Sequence, residues 1–433
     1  MSPCKRSLKI GRLLASAKTL LCTHDIFILV FIAFTIRLIL LPFTGDDHDT
    51  WIWHKIGRSI VDLHMNPYDY NLINPKLATD PYSYPIPWAL FCALAYYLYT
   101  FYPTTEAMLF FQKLPLAIAD VAIGILVGRL TYLFTGKVKL ERVAMALYLF
   151  NPYAVFVSSI YNQFDSLPSL FCMLALFFFL KGRKDLSALS LGVAIAFKEY
   201  PVILLPTFLI FEQNWKRRIR YLLFGLTPII ILSIPFLALN YQSYLYAFTF
   251  QHTWAGNFTY WALIYSFFGV PRYRGEELLP QQIAWVNDAF VLIVMVCLYL
   301  FLSRSQKEVS HGLPKSLLTT ILVFFSSYRF IQNNHPIWGI PFSIIDGVTR
   351  NRRFGLFWWN LPLFIYLSLY WWYFLYPRPD FLVELFKYGI WHDLRGIVAC
   401  VIFPIFTIAY FITLFGRGYF KFPSPNFPDK LAK

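Results

Sequence analysis

Apolar runs close to membrane-spanning length recur along this chain, divided by short clusters of Lys and Arg. The first covers residues 26–43, and later ones lie near 221–239, 285–303, 314–330, 336–349, 354–376 and 396–416. A bilayer core asks for roughly 20 consecutive apolar residues per helix. It also leaves backbone polar groups no partner except each other, so such runs become helices. A chain of 433 residues that is 58% hydrophobic, 20% aromatic and only 14% charged has no room beside them for a soluble domain of any size. The expected fold class is therefore an all-α polytopic membrane protein, a single domain over residues 1–433 with several broken or half-length helices.

The net charge of +15 would point to nucleic acid in a soluble protein. Here the basic clusters at 137–142, 181–184, 216–220, 304–307 and 350–353 punctuate apolar runs, which is how loops are retained in the cytoplasm, and no nucleic-acid partner is expected. Cys4, Cys22, Cys92, Cys172, Cys297 and Cys400 are scattered, mostly within apolar runs, with neither metal-ligand nor disulfide spacing. The basic start MSPCKRSLKIGR precedes a long apolar run with no small-residue cleavage site, so that run is expected to stay as the first span.

With that start in the cytoplasm, the first span carries Gly45-Asp-Asp-His-Asp49 to the exoplasmic or lumenal face. Residues 44–84 form the expected first exoplasmic loop; within it residues 50–65 alternate apolar and charged side chains, too polar to cross and suited to an interfacial helix. Two runs, 143–160 and 167–180, lie between consecutive basic clusters, which places the hinge Ile160-Tyr-Asn-Gln-Phe-Asp165 on the exoplasmic face. The run 186–211 also lies between two basic clusters and is interrupted by Phe197-Lys-Glu-Tyr-Pro201. Two half-length helices hinged there keep both clusters inside, and such breaks are tolerated where they line a polar cavity. The same parity predicts a broken pair over 105–135, a run that carries Lys113, Pro115 and Asp120. Residues 240–284 read as an aromatic exoplasmic loop, an interfacial belt or a groove for an isoprenoid chain, with the sequon Asn257-Phe-Thr259 inside it.

Polar groups gather at the exoplasmic ends. Asp46, Asp47 and Asp49 come from the first loop, Gln163 and Asp165 from the next hinge, Lys198 and Glu199 from the broken run, and Arg329 and His335 from the late stretch Ser327–Pro341. Each has a plain alternative: a solvated turn for the acids, a helix cap for Gln163 or Asp165, a turn before proline for His335, snorkelling for Lys198 and Arg37. Together they suit a reaction at a lipid phosphate. Arg and Lys hold a phosphate, and a carboxylate beside it takes a proton from an attacking hydroxyl. The carboxylates also offer oxygen ligands to a divalent cation. With only Asp47 and Asp49 firmly placed, no metal or other cofactor is expected.

The order of motifs resembles the multispanning GT-C superfamily of glycosyltransferases, in particular its polyprenyl- or dolichyl-phosphate-sugar-dependent mannosyltransferases. The acid-x-acid motif of that superfamily is matched by Asp47-His-Asp49, and its YPP-like element by Asp80-Pro-Tyr-Ser-Tyr-Pro-Ile-Pro-Trp88. The NP and GQFD-like hinge is matched by Asn151-Pro152 and Asn162-Gln-Phe-Asp-Ser166, with Asn162 where glycine is common. Phe197-Lys-Glu-Tyr-Pro201 and His335-Pro-Ile-Trp-Gly-Ile-Pro341 complete the series. The resemblance implies a GT-C-type helical bundle and an inverting transfer of a hexose, mannose first, from the polyprenyl phosphate to an acceptor hydroxyl on a lipid-linked glycan, glycolipid or protein. It implies Asp47 as the catalytic base with Asp49 second, and Lys198, Arg329 and His335 at the donor phosphate. Asp46, Gln163, Asp165, Trp338 and Arg37 would contact substrate. The membrane would be the endoplasmic reticulum in a eukaryote or the plasma membrane in a prokaryote. Transfer of glucose, a transporter or scramblase, and a non-catalytic subunit are the competing readings; inverted repeats, which a transporter calls for, are not visible in the sequence.

Overall fold

The structure is a computed structural model that describes residues 25–69, 82–249, 252, 254–266, 277–305, 309–370, 374 and 390–416. It is a helical membrane bundle. Among the described residues five helices are long and apolar enough to cross a bilayer, or six if a pair bent by 45° is one span. In chain order the first elements are α1 (Asp25–Phe43), α2 (Asp47–Val61), α3 (Ile86–Thr100), α4 (Thr105–Thr135) and the bent pair α5 (Val138–Leu149) and α6 (Pro152–Ile160). Then follow α7 (Ser166–Leu180), α8 (Lys184–Phe197), α9 (Tyr200–Phe211) and α10 (Trp215–Thr249), which is interrupted at Asn240. The last third holds α11 (Trp261–Ser266), α12 (Gln281–Ser305), α13 (Val309–Ser327), α14 (Ile340–Arg350), α15 (Phe354–Ser368) and α16 (Leu394–Leu414).

The broken run expected at 186–211 is present. Helix α8 stops at Lys198, whose backbone is extended (φ −157°, ψ 146°), and the chain restarts at Tyr200-Pro201 as a 3-10 turn into α9. Pro201 has no N–H to continue the ladder of α8 and its ring would clash with the carbonyl four residues back, so a helix cannot run through it and the chain restarts there, with Pro201 in the first turn.

The broken pair expected at 105–135 is not. Helix α4 is one continuous helix of 31 residues with Pro115 inside it. Its polar residues need no break because neighbours satisfy them. Lys113 binds the carbonyls of Thr44 and Ser159, the latter at 3.1 Å, and Asp120 forms a buried pair with Arg37. The reversal of direction that the sequence assigned to α4 belongs instead to α3. Helix α3 runs parallel to α2: Trp53 meets Trp88 edge-on at 5.5 Å, Gly57 lies under Cys92, and Asp62 accepts from Tyr96 at 2.5 Å. A Cβ on Gly57 would sit 2.4 Å from the Cys92 carbonyl, so only glycine allows this approach. Helix α2 is too polar to cross, and α3, lying along it, exposes Leu90, Leu94, Tyr97 and Phe101 in one stripe suited to a membrane surface. With α2 and α3 both interfacial, α4 alone carries the chain across and the basic loop 137–142 keeps its side.

One small sheet sits within the all-α bundle. Strand β1 (Trp254–Asn257) pairs antiparallel with β2 (Glu277–Leu278) and parallel with β3 (Phe330–Ile331). Strands β1 and β2 lie within the aromatic loop expected at 240–284, of which residues 250, 251, 253 and 267–276 lie outside the described residues, as do 70–81 of the first loop. The parallel pairing fixes the backbone that leads into His335–Trp338.

Candidate active site

Four distant segments converge at one end of the bundle. The first is the acid loop. Asp46 caps α2, its carboxylate accepting from the Asp49 amide at 3.0 Å, which puts Asp47 and Asp49 in the first helical turn where the helix dipole favours negative charge. Asp47 is exposed; Asp46 and Asp49 are partly buried. Helix α4 pins this loop from below. The Lys113 ammonium, fully buried, also reaches the Thr44 hydroxyl at 2.9 Å, and Gln112 donates to the Thr50 carbonyl at 3.2 Å.

The second segment is the hinge between α6 and α7. Asn151 caps α6, accepting from the Tyr153 and Ala154 amides at 2.9 and 3.2 Å, with Pro152 at the first helical position; this is the physical content of the Asn-Pro motif. Asn162, at the position where the resemblance implied glycine, has φ +69°. Asn is among the few side chains that adopt this left-handed conformation readily, so the departure from glycine keeps the turn. Its amide donates to Gln112 at 2.7 Å and Thr50 at 3.1 Å, locking the hinge to the acid loop.

The third and fourth segments are the break after α8 and the turn His335–Trp338. Asp165, fully buried, receives both: the Lys198 ammonium lies 2.9 and 3.1 Å from its two oxygens, the Trp338 indole donates at 2.7 Å, and the Asn334 amide adds a third partner. Burial alone would push this carboxyl up; Lys198 outweighs it, with help from the Trp338 hydrogen bond, and holds Asp165 below its ordinary range. Tyr200 stacks flat on Trp338, centroids 3.5 Å apart. Gln163 closes the circuit. Its side-chain amide donates to Asp49, and its carbonyl accepts from Asn334 at 3.3 Å. A continuous polar chain thus runs from Asp49 through Gln163 and Asn334 to Asp165, Lys198 and Trp338.

An ammonium has three N–H groups, and Lys198 spends two on Asp165. Its third has no hydrogen-bond acceptor among the described residues and is flanked by the faces of Tyr84, Phe164 and Trp338 at 5.2–5.8 Å. His335 stacks on Trp338 at 4.2 Å. Burial, then the neighbouring Lys198, push it well below the usual imidazole range, only partly offset by Asp165. It is neutral at physiological pH rather than the cation the sequence suggested. The Gln332 amide donates to its Nδ1 at 3.2 Å, which leaves the proton on Nε2 as a donor. Glu199 is reached by solvent, yet the protein crowding around its carboxyl pushes it up to about 7, opposed by its own backbone N–H and Lys198.

Two expected substrate residues lie elsewhere. Arg37 is enclosed in the bundle. Its Nε and Nη2 bind Asp120 at 2.8 and 2.6 Å, and Nη1 binds the carbonyls of Ala33 and Leu149 at 3.0 and 2.9 Å, so it ties α1, α4 and α5 together. Arg329 is also buried. Its guanidinium binds Asp288 and the His252 carbonyl, with Ala284 and Asn287 at 3.3 Å, and among the described residues no hydrogen bond joins it to the Asp49–Lys198 chain. The side chains that the sequence did not assign to the site are Asn334 and the pair Gln112-Lys113, of which Lys113 stood out only as a polar residue inside the run 105–135. An amide doublet before His335-Pro336 and two adjacent polar residues inside an apolar run were the available signals.

A membrane-embedded bundle that presents carboxylates at an open helix end, beside a polar chain ending in an ammonium, is built for group transfer. The comparisons give the group. The model of glycosyltransferase family 87 matches residues 82–327, more than half of the chain, and the chain belongs to that family. It is also similar to GPI mannosyltransferase 1 of Candida albicans (strain SC5314), 24% identical over 302 residues that cover 63% of this chain and 72% of that protein. The protein is thus a multi-pass membrane glycosyltransferase of mannosyltransferase-like kind. The matched segment contains Gln163, Asp165 and Lys198 but neither the acid loop nor His335, which the fold brings to them.

Proposed function

We propose that the protein transfers mannose from a polyprenyl or dolichyl phosphate to an acceptor hydroxyl, on the membrane face opposite the basic loops. The observation that carries this reading is the polar chain from Asp49 to Lys198, which joins a carboxylate-bearing helix end to a cation with an N–H to spare. Asp47, exposed beside that chain, is the base that takes the acceptor proton as the hydroxyl attacks C1 of the sugar. Asp49, engaged by Gln163, orients the loop that carries it. The C1–oxygen bond to phosphate breaks on the opposite side, inverting the configuration, and the free N–H of Lys198 with the Nε2–H of His335 receives the departing phosphate. Asp165 holds Lys198 and Trp338 in place for that role. The likeness to a protein named for GPI mannosylation supports mannose over glucose, and a glycolipid acceptor.

The test is direct. The purified protein is incubated with polyprenyl-phosphate mannose, and separately with the glucose analogue, plus membrane-extracted glycolipid acceptors. Transfer from the mannose donor alone, lost in Asp47→Ala, is expected. Transfer from the glucose donor alone would reassign the sugar, and full activity in Asp47→Ala would remove the base.

A further inference from the structure

At the other end of the α7–α8 hairpin lies a cavity of about 430 Å³, lined by Arg183, Lys184, Asp185, Arg217, Arg220 and Tyr221 among others. Helix α7, 15 residues long, separates it from Asp165 by about 22 Å at 1.5 Å per residue, so it is no part of the site above. Four of these side chains are cationic and one is anionic. Arg220 takes the Asp185 carboxylate at 2.6 Å. The guanidiniums of Arg183 and Arg217 have no hydrogen bond or ion pair among the described residues. Lys184 donates to the Phe179 carbonyl at 3.1 Å and lies against the Phe179 ring. Burial, and to a lesser extent Arg217, push it down to about 8 despite the nearby Glu212. The cavity is thus an excess of positive charge held in a concave wall, a place where a dianion or monoanion would relieve repulsion.

What flanks it decides the source of that anion. Directly beside the cationic wall, Leu186 on α8 and Trp215, Ile219, Leu222 and Leu223 on α10 are exposed, 36–64%. Farther along α10 the exposed stripe continues through Ile230, Ile231 and Ile234. Basic side chains over a lipid-facing apolar stripe is the arrangement that receives a phosphate at the bilayer surface with its acyl chains along the helices. We propose that this cavity binds the phosphate of an anionic phospholipid from the leaflet opposite the active site, Arg183 and Arg217 holding the phosphate and the α8–α10 stripe holding the chains.

The experiment uses the full chain purified in a neutral detergent, with bound lipid counted by native mass spectrometry. Phosphatidic acid, phosphatidylcholine and soluble glycerol phosphate are added in separate arms. Retention of phosphatidic acid is expected, with little phosphatidylcholine or glycerol phosphate. Arg183→Gln/Arg217→Gln should cut phosphatidic acid retention roughly tenfold or more, the scale of two juxtamembrane charges, while Arg353→Gln, a basic loop residue outside the cavity, leaves it unchanged. Both substituted arginines are exposed, so the fold is retained, and an unaltered thermal midpoint confirms it. Equal retention by the double variant, an equal loss in Arg353→Gln, or equal retention of phosphatidylcholine would overturn the site; equal binding of glycerol phosphate would overturn the lipid as its source.

Discussion

Lys198 and Asp165 are 33 residues apart in sequence and 2.9 Å apart in space, at the break between α8 and α9 and the start of α7 respectively. A buried pair of this kind contributes little by itself, but removing one partner leaves a stranded charge at about 3–5 kcal/mol. Lys198→Met and Asp165→Asn should each lower the thermal midpoint, and the double variant should recover much of that loss. Transfer activity should stay lost in all three. Recovery of activity in the double variant would make the pair structural only.

Asp47 and Asp49 share a helical turn but differ in surroundings, one exposed and one bound by Gln163. Asp47→Asn should lower kcat by about 10²–10⁴, the usual worth of a positioned base, with the donor KM little changed. Asp49→Asn should lower kcat less, by about tenfold, the scale of losing one charge-assisted hydrogen bond. The opposite ranking in a kinetic comparison would exchange their roles.

Glu199 adjoins Lys198 and carries a carboxyl raised from 4.5 to about 7. The raised value means that the folded protein favours the protonated form. Its contribution to stability is therefore present below about 4.5 and is lost as pH rises through about 7. Ionisation also places a negative charge beside the cation proposed to meet the donor phosphate. The donor KM should rise across pH 6–8 in the native enzyme and stay flat in Glu199→Gln. A rise of the same size in the variant would assign the titration to another group.

Arg37 and Asp120 form a closed pair with no exposure of either side chain. Arg37→Met should destabilise by roughly 3–5 kcal/mol and leave the KM of both substrates unchanged in whatever fraction folds. A raised KM at an unchanged thermal midpoint would return Arg37 to the substrate.

Among the described residues no three His, Cys, Asp or Glu side chains converge as a metal-holding group. Chelation with EDTA should leave transfer within about twofold if Lys198 and His335 serve the leaving phosphate. Loss restored by added divalent cation would recast Asp47 and Asp49 as its ligands.

Much of this arrangement was legible in the sequence because it rests on local rules. The Lys198 break follows from Pro201 and from two basic clusters that had to stay on one side. Asp165 and Gln163 stood at a hinge that charge parity placed on the same face as Asp47. What escaped was information held by contacts. Parity required a change of direction before residue 137, and an interfacial α3 satisfies it as well as a broken α4; the packing of α3 along α2, with Gly57 under Cys92, and the continuity of α4 distinguish them. Asp120, 83 residues beyond Arg37, gives no local sign that it will meet it. His335 was read as a cation because burial, which holds it neutral, has no signature in the residues around it.

The polar chain also sets an order of events in synthesis. Asp49 finds Gln163 114 residues later, and Asp165 finds Asn334 169 residues later again. While translation is under way, the acid-bearing helix can be tied down by Lys113 and Gln112, but Asp165 lacks its amide and indole partners until Trp338 has emerged. The polar chain therefore cannot close before Asn334 and Trp338 have been made, and the site becomes competent only as the last third of the protein is laid into the membrane.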